Sequence, residues 1–302
     1  MVVGVIDADG RIDRGFGSGG WANLPWPGQP TALLREPSGE IVLGVQDGMD
    51  CCELEFLGAI SATGTVLRSF GVAGRVSLPI YSTGPEGAHI NQIARADNGD
   101  LFVVSSGGHM GSLASAVSEF TPKGKSVAAF DRNMTTNIET SRVPSTFVGG
   151  VVGRPGGVVF IGAGQAGPIG FAPEPTAAGR LLPFDDDGLP VGSVDGAEPS
   201  KFSSIAYWDV WAFPRPNGGY LMIAASPPYE DAIIAPQRVE VVALTRSGAV
   251  DRTYADDGYG SFLLPVSSGP FFVGSATSSG DAVAIVWDGG DATTFELTEV
   301  NL

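Results

Sequence analysis

The residues whose types could do chemistry in this chain are a few grouped carboxylates and two histidines. Asp209 stands in the segment YWDVW, where Tyr207, Asp209 and Trp211 fall on one face of a strand and Trp208 on the other. An acid flanked by aromatic faces is one way to hold a sugar, and Tyr207, Asp209 and Trp211 are the candidate ligand-binding residues. Large aromatics are more often packing, so packing is the preferred reading of the segment. Asp185, Asp186 and Asp187 in FDDDGL, and Asp256 and Asp257 in YADDGY, occupy matching turns. Aspartate favours turn geometry and solvent there, whereas an oxygen-rich turn would also suit a hard cation. Asp185, Asp186 and Asp187 are therefore candidate calcium ligands, although their spacing matches no known calcium loop. His89 is expected just ahead of a strand and His109 in the Gly-rich loop GGHMG, each as a surface or satisfied loop histidine.

No catalytic set can be assembled from these groups. The chain has no HExxH pair and no GxSxG elbow, and the run GSGG at Gly17 to Gly20 lacks the Lys and Ser/Thr of a phosphate loop. No catalytic residue is assigned, and calcium apart no cofactor is expected. Asn133, in NMT, fits the glycosylation acceptor pattern, a match that arises readily by chance.

The elements that would have to position such groups are strands. Of 302 residues 44 are Gly and 22 Pro, spread evenly between Val, Ile, Leu and Phe runs, which excludes a helical protein and points to a turn-rich β fold. The net charge of −16 disfavours a nucleic-acid partner and an anionic membrane surface, and no stretch has the roughly 20 apolar residues of a membrane helix. Cys51 and Cys52 are adjacent and supply no disulfide framework; alternation along a strand places the two thiols on opposite faces. The N-terminus carries Asp7 and no basic segment leading into an apolar one, so it does not read as a secretory signal.

Two families of segments recur along the chain. EPSGEIVLGV, ADNGDLFVVS, GRPGGVVFIG, RPNGGYLMIA and SSGDAVAIVW place turn glycines at Gly39, Gly99, Gly156, Gly218 and Gly280, spaced by 60, 57, 62 and 62 residues on subtraction. Each is a turn followed by an apolar run of strand length. Between them lie VIDADGRIDRGFGSGG, AISATGTVLRSFGVAG, SEFTPKGKSVAAFDRN, EPTAAGRLLPFDDDGL and ALTRSGAVDRTYADDG. In these an aromatic follows the turn glycine by five or six residues: Phe16, Phe70, Phe130, Phe184 and Tyr254. All but the third place a glycine four residues later, with Met134 standing there in the exception. The aromatics are read as scaffold, plugging the seams between units, with the glycine turning the chain into the next unit's innermost strand.

The segments DADGRIDRGFGSGG, SATGTVLRSFGVAG and TRSGAVDRTYADDG, with their paired SGEIVLG-type strands, resemble the bacterial delta-sixty repeat, a propeller-forming family. The similarity runs over nearly the whole chain and is weakest in the third and fourth units, at Met134 and through 190–205. The resemblance implies the fold and an exported or cell-surface bacterial protein; its motif is structural and brings no catalytic residues.

The expected architecture is an all-β propeller of about five four-stranded blades in a single domain, residues 1–302. Six blades, an incomplete ring or a β-sandwich are the alternatives. Approximate blades are 21–64, 74–124, 131–179, 188–248 and 258–302, and 2–9 form a surplus N-terminal strand used in ring closure or edge pairing. Because the clearest motifs are accounted for by folding, a non-catalytic scaffold binding a protein or glycan is preferred to an enzyme, and the question of activity stays open. The alternative is a propeller hydrolase acting on carbohydrate or a lactone with carboxylates or calcium in the central channel. The surplus strand also suggests one segment of a larger surface protein.

Overall fold

The computed structural model describes residues 1–7, 11–47, 54–78, 88–109, 112–128, 130, 146–154, 157–165, 180–185, 187, 194–195, 209–225, 238–247, 249–263, 273–279, 282–288 and 295–301. Gly39, Gly99 and Gly218 of the first repeat family each join two strands of one antiparallel hairpin. Apolar runs rich in β-branched residues lie on either side, as a half-buried pleated surface requires. The resulting sheets are β3 (Gln29–Arg35), β4 (Ile41–Asp47), β5 (Leu54–Ile60) and β6 (Arg75–Ser77); then β7 (Ala88–Arg95), β8 (Leu101–His109) and β9 (Ser112–Phe120). The third contains β10 (Thr146–Arg154), β11 (Gly157–Gln165), β12 (Arg180–Phe184) and β13 (Val194–Asp195). The fourth has β14 (Asp209–Pro214), β15 (Tyr220–Ala225), β16 (Arg238–Leu244) and β17 (Tyr259–Leu263), and the fifth β18 (Val273–Ser279), β19 (Ala282–Asp288) and β20 (Phe295–Asn301). The inner strands β3, β7, β10, β14 and β18 each touch the next, and β18 touches β3. The ring is closed, and the fold is a five-bladed β-propeller.

The blade limits differ from the expected ones by about one strand. The segment after each aromatic–glycine turn does not cross to the next blade as its inner strand. It returns along the third strand of its own blade as the outermost one: Arg75–Ser77 pairs with β5 and Tyr259–Leu263 with β16. The cause is the tightness of the turn. The Gly74 N–H donates to the Phe70 carbonyl, Val72 bridges Arg75, and a chain reversed over so few residues can only lie antiparallel beside the strand it left. The blades accordingly comprise 29–77, 88–120, 146–195, 209–263 and 273–301 in their named strands. At the N-terminus, β1 (Val2–Gly4) pairs antiparallel with β2 (Trp21–Asn23), and this pair is a half-blade corresponding to β5 and β6.

The turn aromatics lie in the seams. Phe16 packs with Ile41, Leu43, Phe56 and Ile60 of the first blade, Phe70 with Ile90, Ile93 and Phe120 of the second, and Phe130 with Phe102, Val104 and Val151. Tyr254 is buried in the fifth repeat of the turn. Phe184 ends β12, and its side chain lies outside the described residues, as do Cys51, Cys52, Asn133 and Met134.

One of these turns carries strain that its homologues avoid. Immediately after the aromatic the backbone is left-handed, with Gly17 at φ 54° and Gly71 at φ 53°, but Ala255 stands at φ 41°. A left-handed non-glycine residue costs roughly 1 kcal/mol or more, against about 0.5 kcal/mol of extra unfolded-state entropy for glycine. Ala255→Gly is therefore expected to stabilise the protein by about 0.5 kcal/mol, raising the midpoint of a calorimetric melt by about 1–2 °C. A midpoint at or below that of the parent protein would show that the turn is not strained.

Candidate functional site

The centre of the ring is organised by one amide that no motif announced. Gln92 lies on the inner strand of the second blade, buried. Its Nε2 donates to the Ala212 carbonyl at 2.6 Å, and its Oε1 accepts from the N–H groups of Ala212 at 3.0 Å and Val151 at 3.2 Å. Val151 belongs to the third blade and Ala212 to the fourth, so the side chain reaches across the axis and satisfies inner-edge backbone groups that have no strand to pair with. At the same depth β10 and β14 approach so closely that a Cβ on Gly150 would lie 2.7 Å from the Ala212 Cβ. The channel is thus floored by Gln92, Gly150 and Ala212.

The register of the hairpins defines what lies at that mouth. Gln29 pairs with Gln46, His89 with Ser106 and Asp209 with Ala225, each five rungs from its hairpin turn. Gln29, His89 and Asp209 therefore occupy one rung of three inner strands. Gln92 pairs with Val104, two rungs deeper, or about 7 Å along the strand. The correspondence is hidden in the sequence by register shifts in β3 and β7, which add Thr31 and Asn91, while β14 runs without one. His89 thus lies within a strand and His109 ends β8, where a position ahead of a strand and a loop were expected.

The structure divides the expected ligand-binding group. Asp209 opens β14 on the mouth rung, while Trp211 occupies the rung of Gln92 and is buried as packing. Tyr207 lies outside the described residues. Of the proposed calcium ligands, Asp185 accepts the Asp187 N–H at 3.1 Å. Asp13 makes the same turn with Gly15 at 2.9 Å, and Asp251 with Thr253 at 3.2 Å. Asp185 makes this contact one residue after its turn aromatic, Asp13 and Asp251 three residues before theirs, so the kind of turn recurs at a different place in the repeat; Asp187 is exposed and Asp186 lies outside the described residues. Asp257 is paired with Arg252 at 2.7 Å. Among the described residues no three His, Cys, Asp or Glu side chains cluster as metal ligands.

Charged pairs lie at the opposite end of the ring. Arg95, ending the inner strand of the second blade, is ion-paired with Glu36 just beyond the inner strand of the first. Arg215 is paired with Asp251 at 2.7 Å and its guanidinium lies 4.8 Å from the centre of the Tyr254 ring. These contacts tie neighbouring hairpins and turns together at that end.

No family model and no curated protein matches the chain. Solved structures share its shape. The endo-arabinase from Bacteroides thetaiotaomicron is 7% identical over 91% of this chain and 94% of its own, with a TM-score of 0.45. An exo-1,5-alpha-L-arabinanase from a bovine ruminal metagenomic library is 11% identical over 91% and 95%, with a TM-score of 0.46. The Cellvibrio cellulosa alpha-L-arabinanase complexed with arabinohexaose is 11% identical over 91% and 92%, with a TM-score of 0.44. At such identities the likeness is one of fold. The expectation of a non-catalytic scaffold is corrected on that ground: the three proteins of similar shape are named as an endo-arabinase and two arabinanases, so a repeat accounted for by folding is no reason to prefer a scaffold to a catalyst.

Proposed function

We propose that the protein is a propeller hydrolase acting on carbohydrate, with its site at the mouth of the central channel. The observation that supports this reading is the strand register, which sets Gln29, His89 and Asp209 on one rung of three inner strands, two rungs from the buried Gln92. Aspartate and histidine are residue types able to hand a proton to a leaving oxygen and take one from water, and the backbone register sets one of each on the same rung. Asp209 is assigned the carboxylate role and His89 the second proton-transfer role, with Gln29 as a hydrogen-bonding group for a sugar hydroxyl.

Arabinan and linear arabino-oligosaccharides are the first substrates to try, followed by fructans and aryl glycosides, with reducing-sugar release as the readout. Asp209→Asn is expected to lower kcat/KM on whichever substrate is cleaved by at least about a hundred-fold, the usual contribution of a positioned acid or base. The reading is abandoned if none of these glycans is cleaved, or if Asp209→Asn cleaves as fast as the parent protein.

A further inference from the structure

The half-blade at the N-terminus leaves open a surface whose central position is buried in the first, second and fourth blades. Aligned on the turn glycines Gly10 and Gly64, Val2, Gly4, Ile6, Ile12 and Trp21 correspond to Phe56, Gly58, Ile60, Val66 and Arg75 of the first blade. The geometry corresponds as well: Ile6 bridges Ile12 as Ile60 bridges Val66, and β1 pairs with β2 as β5 does with β6. In the first blade this face receives Phe16 and the ring of Trp26, which lies over Gly58. The position of Ile60 is 0% exposed, as is Phe120 in the second blade, and Leu244 in the fourth is 1% exposed. Ile6, in the same position, is 45% exposed, with Val2 at 55% and Trp21 at 47%.

We propose that this face docks a polypeptide segment of the chain's own repeat chemistry, a turn aromatic followed by a short β-strand, with the aromatic seated between Val2, Ile6 and Ile12. The occupant is specified by the interfaces already present. In the first and second blades the same apolar position, Ile60 and Phe120, packs in one cluster with the turn aromatic of the preceding unit, Phe16 and Phe70. Trp21 serves as the movable cover. Its ring now lies over Gly4, as the ring of Trp26 lies over Gly58. The proposal is independent of the hydrolase reading, since it uses the outer rim and not the channel mouth.

The test uses the whole chain and a fluorescein-labelled peptide with the sequence of residues 61–78, which carries Phe70 and the β6 strand. Fluorescence anisotropy is expected to show saturable binding, weakened about ten- to a hundred-fold when the peptide carries Phe70→Ala, the share expected of one buried phenyl ring. Ile6→Asp changes an exposed side chain and leaves the fold intact by circular dichroism; it is expected to abolish binding. No binding up to about 1 mM, the scale of a marginal complex, or equal binding by the Ile6→Asp protein, overturns the proposal. So does a chain that runs as a dimer dissociated by Ile6→Asp, because the seat then belongs to a second copy.

Discussion

Gln92→Leu is expected to lower the free energy of unfolding by about 3–5 kcal/mol, the largest effect of any single polar substitution in the described structure. Leucine is close to glutamine in volume, so the loss is not one of packing. What disappears is the partner of three backbone groups, the N–H groups of Val151 and Ala212 and the Ala212 carbonyl. A buried donor or acceptor left unmade costs roughly 1–3 kcal/mol, and these three sit where no strand can reach them. Urea titration would show the midpoint falling with an unchanged slope, and amide exchange would quicken first at Val151 and Ala212. Gln92→Asn keeps the amide but draws it back by one methylene, so an intermediate loss is expected. A Gln92→Leu protein within about 1 kcal/mol of the parent, inside ordinary mutational scatter, would mean that the floor is held by the Gly150–Ala212 approach and not by the amide.

That the site turns on Gln92 also shows where the sequence stops being readable. The turn glycines and the aromatics were legible because every unit has to solve the same packing problem, and a shared solution repeats. Phe16, Phe70 and Phe130 lie in their seams for that reason. Gln92 solves a problem that arises once, at the axis, and its register-equivalents Ala32 and Trp211 share nothing with it. The only available signal was a polar residue interrupting an apolar inner strand. The phase of the blades was misread because Trp21 to Pro25 has the apolar character of an inner strand. Only the hydrogen bonds of the preceding turn reveal that the chain has folded back. Likewise, the shared rung of His89 and Asp209 is one residue out of step in sequence, and a bulge is a backbone event that composition does not mark.

The second large effect is expected at the other end of the ring, at Arg215 and Asp251. Their side chains are 8% and 12% exposed, so each charge has given up most of its water and depends on the other. Arg215→Met keeps the apolar stem and the volume over Tyr254 but removes the guanidinium, leaving the Asp251 carboxylate with only Thr253, whose hydroxyl donates at 2.5 Å. Breaking a buried pair from one side costs about 3 kcal/mol, and the lost stacking on Tyr254 adds about 0.5–1 kcal/mol. Asp251→Asn should cost less, because Arg215 retains the ring. Coupling between the two in a double-mutant cycle should be about 1.5–3 kcal/mol. The pH dependence has a definite sign. The Thr253 hydroxyl first, and then the Arg215 guanidinium, hold the Asp251 carboxyl below its ordinary value. A carboxyl with a depressed folded-state pKa contributes its full stabilisation above the unfolded value, about pH 4, and loses it as pH falls through the lower folded value. The parent protein and Asp251→Asn should therefore differ most at neutral pH and converge below about pH 4, with little dependence on salt because the pair is largely shielded from solvent. A difference that stays constant from pH 7 down into that range would assign the Asp251 contribution to the shape of the turn and not to its charge.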